Sequence, residues 1–307
     1  MKISTTLFFN NASNQIGNVQ GELTKTQMQL STGLQIVKPS DSPDKAALVT
    51  RLESELARQA SYQDTLKSVN TRLQSQETAL KNTSDVLTRM KELAIQAAND
   101  TLSSADRNTI SQELSSLRDQ ALSLANTQDA NGNYLFSGSR VGQPAFGADA
   151  KGQVVYQGDQ SRMKIIVGDS RRMNLNMPGT DAFTKVVRSD GKGGQVGVGF
   201  FKAIDDLTAA VKNSDHNNMQ LGIAELTTMQ QGVSDATAQV GDDMNVVDMQ
   251  NGVLDEIVLR LKTTRSDVQD LDYTSAVTKM SRDQLALEAA QSSFAKISQL
   301  NLFKYMN

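Results

Sequence analysis

Apolar side chains return at intervals of three and four residues at both ends of this chain, and only long helices paired along their length can bury such stripes. The first seam runs Phe9, Ala12, Ile16, Val19, Leu23, Leu30, interrupted only by Thr26. The last runs Tyr273, Ala276, Met280, Leu287, Ala290, Phe294, Ile297, with Leu300, Leu302 and Phe303 beyond it. Two further seams lie inside these. One helix is expected from Asp44 to about Ala98, with Leu66, Val69, Leu73, Leu80, Leu87, Met90, Ala94 and Ala97 on one stripe and Gln76 and Thr83 as polar interruptions. Ser103 followed by Asp106 reads as a capping box, opening a shorter antiparallel helix with Ile110, Leu114, Leu117, Ala121 and Leu124. Helix resumes at Phe200, Ile204, Leu207 and Val211, and beyond it lies a long seam from Leu226 to Leu271, diluted by Asp243, Gln250 and Thr264.

The seams are separated by breaks. Pro39 and Pro43 hold the residues before them extended, and Asp41 or Ser42 can cap the next helix, which puts a boundary near residue 42. Tyr273 comes two residues after Leu271 and so starts a new register, with the turn at Asp272 and Tyr273. After Leu124 the period becomes alternating and glycine frequent, so short strands are expected at Val154 to Gln157, Met163 to Val167 and Met173 to Met177, with a turn at Gly158-Asp159-Gln160-Ser161. Lys192-Gly-Gly194 closes this stretch as a linker. The fold class expected is mainly α: a long helical bundle or coiled coil made from the paired N- and C-terminal segments, with a small β-rich insertion domain. Residues 1–42 and 272–307 would form a terminal coiled-coil inner domain, 43–127 and 199–271 a helical middle domain, and 128–198 a β-rich outer domain forming a separate unit.

Composition excludes more than it suggests. Aromatics are 5% of residues and tryptophan is absent, so a core packed around large rings is not expected. A net charge of -3 without a basic run gives no electrostatic case for nucleic acid or a membrane surface. No stretch reaches the ~20 apolar residues of a membrane span, and Met1 to Gly17 has only Leu7, Phe8 and Phe9 consecutively apolar, too short for a signal-peptide core. Cysteine is absent, and His216, the single histidine, lies in the polar run Asn213 to Asn218 expected to be a solvated turn. The adjacent pairs Asp205-Asp206 and Asp242-Asp243 point in different directions on a helix, and Gly191-Lys-Gly-Gly194 lacks the ending of a phosphate loop. No catalytic, cofactor-binding or metal residues are expected, and no enzymatic activity.

Entropy indicates what the terminal seams are for. Each terminal segment must order its whole length against a thin stripe of large apolar side chains. The two ends are therefore expected to be mobile in a monomer and to order only against each other and against neighbouring subunits. The assembly interface expected on this ground is Phe9, Ile16, Val19, Leu23, Leu30, Met280, Leu287, Phe294, Ile297, Leu300, Leu302 and Phe303, with Pro39, Pro43, Asp272 and Tyr273 as domain-boundary turns.

Particular motifs carry a family likeness. Met1-Lys-Ile-Ser-Thr5, Gln29-Leu-Ser-Thr-Gly-Leu34 leading into Pro39-Ser-Asp-Ser-Pro43, and Lys91-Glu-Leu-Ala-Ile-Gln-Ala-Ala-Asn99 resemble the amino-terminal part of flagellin-like proteins. Leu124-Ala-Asn-Thr-Gln-Asp-Ala-Asn-Gly-Asn-Tyr-Leu-Phe-Ser-Gly138, Tyr156-Gln-Gly-Asp159, Met177-Pro-Gly179 and Leu300-Asn-Leu-Phe-Lys-Tyr-Met306 resemble the hook-associated members of that family more than filament flagellin. Ser42 stands where the family usually has Asp. The resemblance implies a structural subunit in which the termini pair as an inner coiled coil and the insertion faces outward. It also implies type III flagellar export through an uncleaved amino terminus, a cytoplasmic export chaperone, and a homo-oligomeric layer at the hook-filament junction between the first hook-associated protein and flagellin. A filament flagellin and a cytosolic coiled-coil signalling scaffold are the alternatives.

Overall fold

The structure, a computed structural model, describes the backbone of residues 2–189 and 194–303 and the side chains of residues 7, 9–189 and 194–296. The helices are α1 (Lys2–Thr32), α2 (Pro43–Ala97), α3 (Ser104–Ala125), α4 (Gly179–Ala182), α5 (Phe200–Lys212), α6 (His216–Gln269) and α7 (Tyr273–Phe303). The strands are β1 (Phe146–Ala148), β2 (Val154–Tyr156), β3 (Lys164–Ile166), β4 (Arg172–Asn174), β5 (Val186–Ser189) and β6 (Gln195–Val198). The chain divides into two compact units, Met1–Gln59 with Glu256–Asn307 and Ala60–Asp255.

In the unit 60–255 the stripe expected on α2 is the core: Leu66, Val69, Leu80, Leu87, Met90, Ala94 and Ala97 are fully buried, in one cluster with Leu114 and Ala121 of α3 and Leu226, Val233, Val240 and Val247 of α6. The polar interruptions in the stripe are satisfied. Thr83 is buried and its hydroxyl donates to Ala79 O at 2.7 Å, while buried Gln76 donates to Leu135 O at 3.4 Å. Buried polar groups persist where a partner offsets their desolvation. Ser103 does open α3 as a capping box, its Oγ accepting from Asp106 N at 3.2 Å and Asp106 Oδ2 accepting from Ser103 N at 3.3 Å.

The β-rich stretch consists of three separate antiparallel pairs, β1 with β2, β3 with β4, and β5 with β6. One turn design occurs twice, in Asp129-Ala-Asn-Gly-Asn133 and Asp149-Ala-Lys-Gly-Gln153. In each the carboxylate Oδ1 accepts from the backbone two and four residues on, at 2.8 to 2.9 Å. Gly132 and Gly152 then take φ values of 80° and 75°, a region open to glycine.

The packing overturns two expectations. Large rings do form a core: Phe136, Phe146, Phe183, Phe200 and Phe201, five of the nine phenylalanines, make edge-on and stacked contacts with centroids 5.2 to 6.3 Å apart. A low overall aromatic fraction says nothing about clustering, and pooled rings pack as well in a helix-rich chain as in any other. Nor does the β-rich stretch stand apart from the helices. Phe183 packs on Phe200 and Phe201 of α5, and Gln250 of α6 donates to Val167 O at 3.3 Å. Arg188 of β5 holds Asp206 of α5 at 2.6 Å and Glu225 of α6 at 2.5 Å. The linker expected at residues 191–194 lies almost wholly outside the described residues, but the strands on either side of it pair with each other from Val186↔Val198 to Ser189↔Gln195.

Candidate assembly surface on the terminal helices

Helices α1 and α7 pack along each other as an antiparallel pair. Phe9 meets Phe294 edge-on, with centroids 5.3 Å apart, and Lys279 Nζ reaches Glu22 Oε2 at 2.6 Å, so rising numbers on α1 meet falling numbers on α7. The aromatic contact adds roughly 0.5–1.5 kcal/mol beyond burial. The ion pair is half exposed on both sides and adds about 0–1 kcal/mol. The hydrogen bond from Lys279, reinforced by its charge, holds the Glu22 carboxyl below the usual carboxylate value.

The expected seam residues with described side chains are all partly covered. Phe9, Ala12, Ile16, Val19, Leu23 and Leu30 of α1 and Met280, Leu287, Ala290 and Phe294 of α7 are half-buried. Ile297, Leu300, Leu302 and Phe303 lie outside the residues whose side chains are described. The interruption in the first seam is its most buried residue among those described. Thr26 is completely buried, its hydroxyl donating to Glu22 O at 3.0 Å, and the register places it level with buried Ala276.

A turn finishes α1 at its C-terminal end and another opens α7 beside it. Pro39 begins a 3-10 turn Pro39–Asp41 and Pro43 is the first residue of α2, where its missing N–H is not needed. Asp41 ties this turn down, accepting from Lys38 N at 2.9 Å and pairing with Lys25 at 3.2 Å; the backbone bond, then the lysine, lowers its pKa. Asp272 caps α7 by accepting from Ser275 Oγ at 2.8 Å and from Thr274 N and Ser275 N at 3.0 and 3.2 Å, and these bonds lower its pKa. The two connections meet where Gln35 N donates to Gln269 O at 2.7 Å and Leu271 N donates to Gly33 O at 2.9 Å. Gly33 has φ 72°, and a Cβ there would lie 2.9 Å from Tyr273 Oη.

That cross-tie was not legible in the sequence, because one bridge between Leu34 and Asp270 has no periodicity. The outward faces of the pair also went unread. Leu7, Val277 and Leu285 are 60%, 47% and 68% exposed, so α1 and α7 present apolar side chains outward as well as inward. Their signal was available in the sequence as apolar positions off the principal seam.

The adjacent aspartates are engaged elsewhere or set apart. Asp205 receives Arg118 Nε at 3.0 Å and Asp206 receives Arg188 and Lys202. Asp243 is half-buried, and desolvation pushes its pKa up, opposed by a hydrogen bond from Gln239. His216 begins α6 rather than lying in the turn before it, with Nδ1 3.7 Å from Asp100 Oδ1.

Profiles of two protein families match the chain. The bacterial flagellin N-terminal helical region covers residues 3–140 and the bacterial flagellin C-terminal helical region covers residues 223–306. Flagellar hook-associated protein 3 of Escherichia coli (strain K12) is 26% identical over 99% of this chain and 99% of its own length. The protein of that name from Salmonella typhimurium is 25% identical with the same coverage. Among solved structures, a flagellar hook-associated protein from Vibrio parahaemolyticus aligns with TM-score 0.67 and 26% identity, covering 75% of this chain and 100% of that one. Xanthomonas campestris FlgL shares the fold at TM-score 0.63 and 23% identity, over 70% of this chain and 99% of that one. With bacterial flagellin helical regions matched at both ends, together over more than half of its length, the chain belongs to the flagellin-like family, and along its whole length it is similar to proteins named flagellar hook-associated protein 3.

Proposed function

We propose that this chain is a structural subunit of the bacterial flagellum that joins the hook, through the first hook-associated protein, to the flagellin filament. The observation that carries this reading is end-to-end similarity, 99% of both chains, to proteins named flagellar hook-associated protein 3. The terminal helix pair supports it, since long seams along one axis transmit torque and heterologous contacts along that axis build a tube instead of a closed dimer. On this reading the protein acts outside the cell, exported by the flagellar type III system with the help of a cytoplasmic chaperone. It assembles as a layer of identical copies, with the seam residues of α1 and α7 at the interface. The residues bound up in ion pairs and caps are scaffold, and no chemistry is assigned to them.

The test is deletion of the gene and complementation with wild type. Hooks without filaments and unpolymerised flagellin in the medium are expected in the deletion strain, with filaments restored by the wild-type gene. Gold-labelled antibody should mark one band at the hook-filament boundary. Label along whole filaments would instead identify a filament flagellin, and retention of all the protein in the cytoplasm would identify a coiled-coil scaffold.

A further inference from the structure

Between residues 3 and 21, α1 carries no charged side chain, so nothing in that stretch can form a side-chain ion pair with α7. The ties between the two helices gather toward the other end of the pair. Backbone bonds join Leu271 to Gly33 and Gln35 to Gln269, Lys279 holds Glu22 at 2.6 Å, and Thr26 and Ala276 are buried. From Glu22 toward the start of α1, and from Lys279 toward the end of α7, no described side chain is buried. The seam there, Phe9, Ala12 and Ile16 with Leu287, Ala290 and Phe294, is half open.

Between the tied part and the half-open part, both helices are weakened at one level. Heptad spacing on α7 passes from Ala276 and Met280 through Asp283 before reaching Leu287. Asp283 is half-buried, and its Oδ2 is shut off from solvent without a hydrogen-bond partner among the described residues, a costly state for a carboxylate oxygen. The Glu22–Lys279 and Phe9–Phe294 contacts fix the register, which sets Asp283 level with residues 18–20 of α1. Gly17 and Gly21 flank those residues, both inside the helix. A Cβ built on either glycine meets no atom within 4 Å, so close packing does not require glycine there. Yet each glycine disfavours the helix about fourfold relative to alanine.

We propose that Gly17, Gly21 and Asp283 form a hinge level in the terminal pair, at which the part carrying Phe9 and Phe294 opens as a unit while the tied part stays closed. Helix propensity fails on one side and seam packing on the other at the same height, so opening that begins at the half-open end stops where the Glu22–Lys279 ion pair and buried Thr26 begin. The inference concerns a single copy of the chain and stands or falls apart from the function proposed above. Its test is hydrogen exchange on the purified full chain, read peptide by peptide. In wild type, protection should step up by about tenfold or more from residues 3–16 to residues 22–32 of α1, and from residues 284–303 to residues 276–282 of α7. Gly17→Ala with Gly21→Ala should slow exchange on the open side by about tenfold or more, and Asp283→Leu by a similar factor, so that the step shrinks from either helix. Gly241→Ala is the control: it lies in α6, its added Cβ also meets no atom within 4 Å, and it should leave the step unchanged. Protection that is uniform along the wild-type pair, or that declines toward the ends without a step, would overturn the hinge. So would a pair of alanines that keeps the wild-type circular dichroism and leaves the step at its wild-type size.

Discussion

Asp159 shows how much one side chain can hold in a turn. Its carboxylate accepts from the Ser139 hydroxyl and from the backbone N–H of Ser139 and Ser161, the two backbone bonds at 2.9 Å each, which lowers its pKa from 3.8 to about 2. Because the folded value is depressed, the stabilisation is complete above 3.8 and is lost as the pH falls through about 2. Amide protection factors at Ser139 and Ser161, measured by NMR, should fall across that window, whereas in Asp159→Ala they should be low at every pH. Arg188 carries more. It bonds Glu225 in bidentate fashion at 2.5 and 2.8 Å, and Glu225 is only 5% exposed. Removing one partner of a buried pair costs about 3–5 kcal/mol, because a charge is left without compensation. Arg188 and Asp206 are partly exposed, so Arg188→Ala should destabilise the unit 60–255 by about 3 kcal/mol, read as a lower urea midpoint, and adding Glu225→Leu should recover part of the loss.

At the scale of elements, the α1–α7 pair is bound by a thin seam. Most of its described members are half-buried, and Phe9 meets Phe294 edge-on within it. Truncating a packed side chain costs roughly 2–5 kcal/mol when the site is fully enclosed, and less where it is half open. Leu287→Ala with Phe294→Ala should therefore strip amide protection from α1 and α7 in the purified protein while the melting of the unit 60–255 moves little, since its core shares no residue with this seam. In cells the double variant should be exported and yet give hooks without filaments. Normal filaments from it would show that the seam serves only the monomer. The entropy argument for mobile ends leads to the same measurement in the wild type, where slower exchange in α2 and α6 than in α1 and α7 is expected.

At the scale of the whole molecule, the ring cluster changes what removal of the β-rich stretch should do. Deleting residues 139–196 takes away Phe146, Phe183 and Arg188, and with them contacts to Phe200, Phe201, Asp206 and Glu225. The deletion variant is expected to melt many degrees below wild type and to expose Phe200 and Phe201, detectable by dye binding. A variant that melts with wild type would show that the helices are self-sufficient. The long helices and their breaks were legible in advance because a seam repeats many times and a proline forbids continuation locally: α2 and α3 begin and end within a residue or two of where spacing, capping box and Pro43 place them. Strands β2, β3 and β4 were readable from alternation, whereas β1, three residues with Gly147 at its centre, and the pair β5–β6 were not. The terminal surface was legible as a set of apolar positions. Its partnering was not, because spacing along one helix carries no information about what stands opposite. Only the folded chain decides that Phe9 meets Phe294, that Leu34 bridges Asp270, that Thr26 is fully buried and that Asp283 Oδ2 finds no hydrogen-bond partner among the described residues. Periodicity is a property of consecutive residues, and the sequence determined it alone; contacts between residues hundreds of positions apart arise only when the chain is packed.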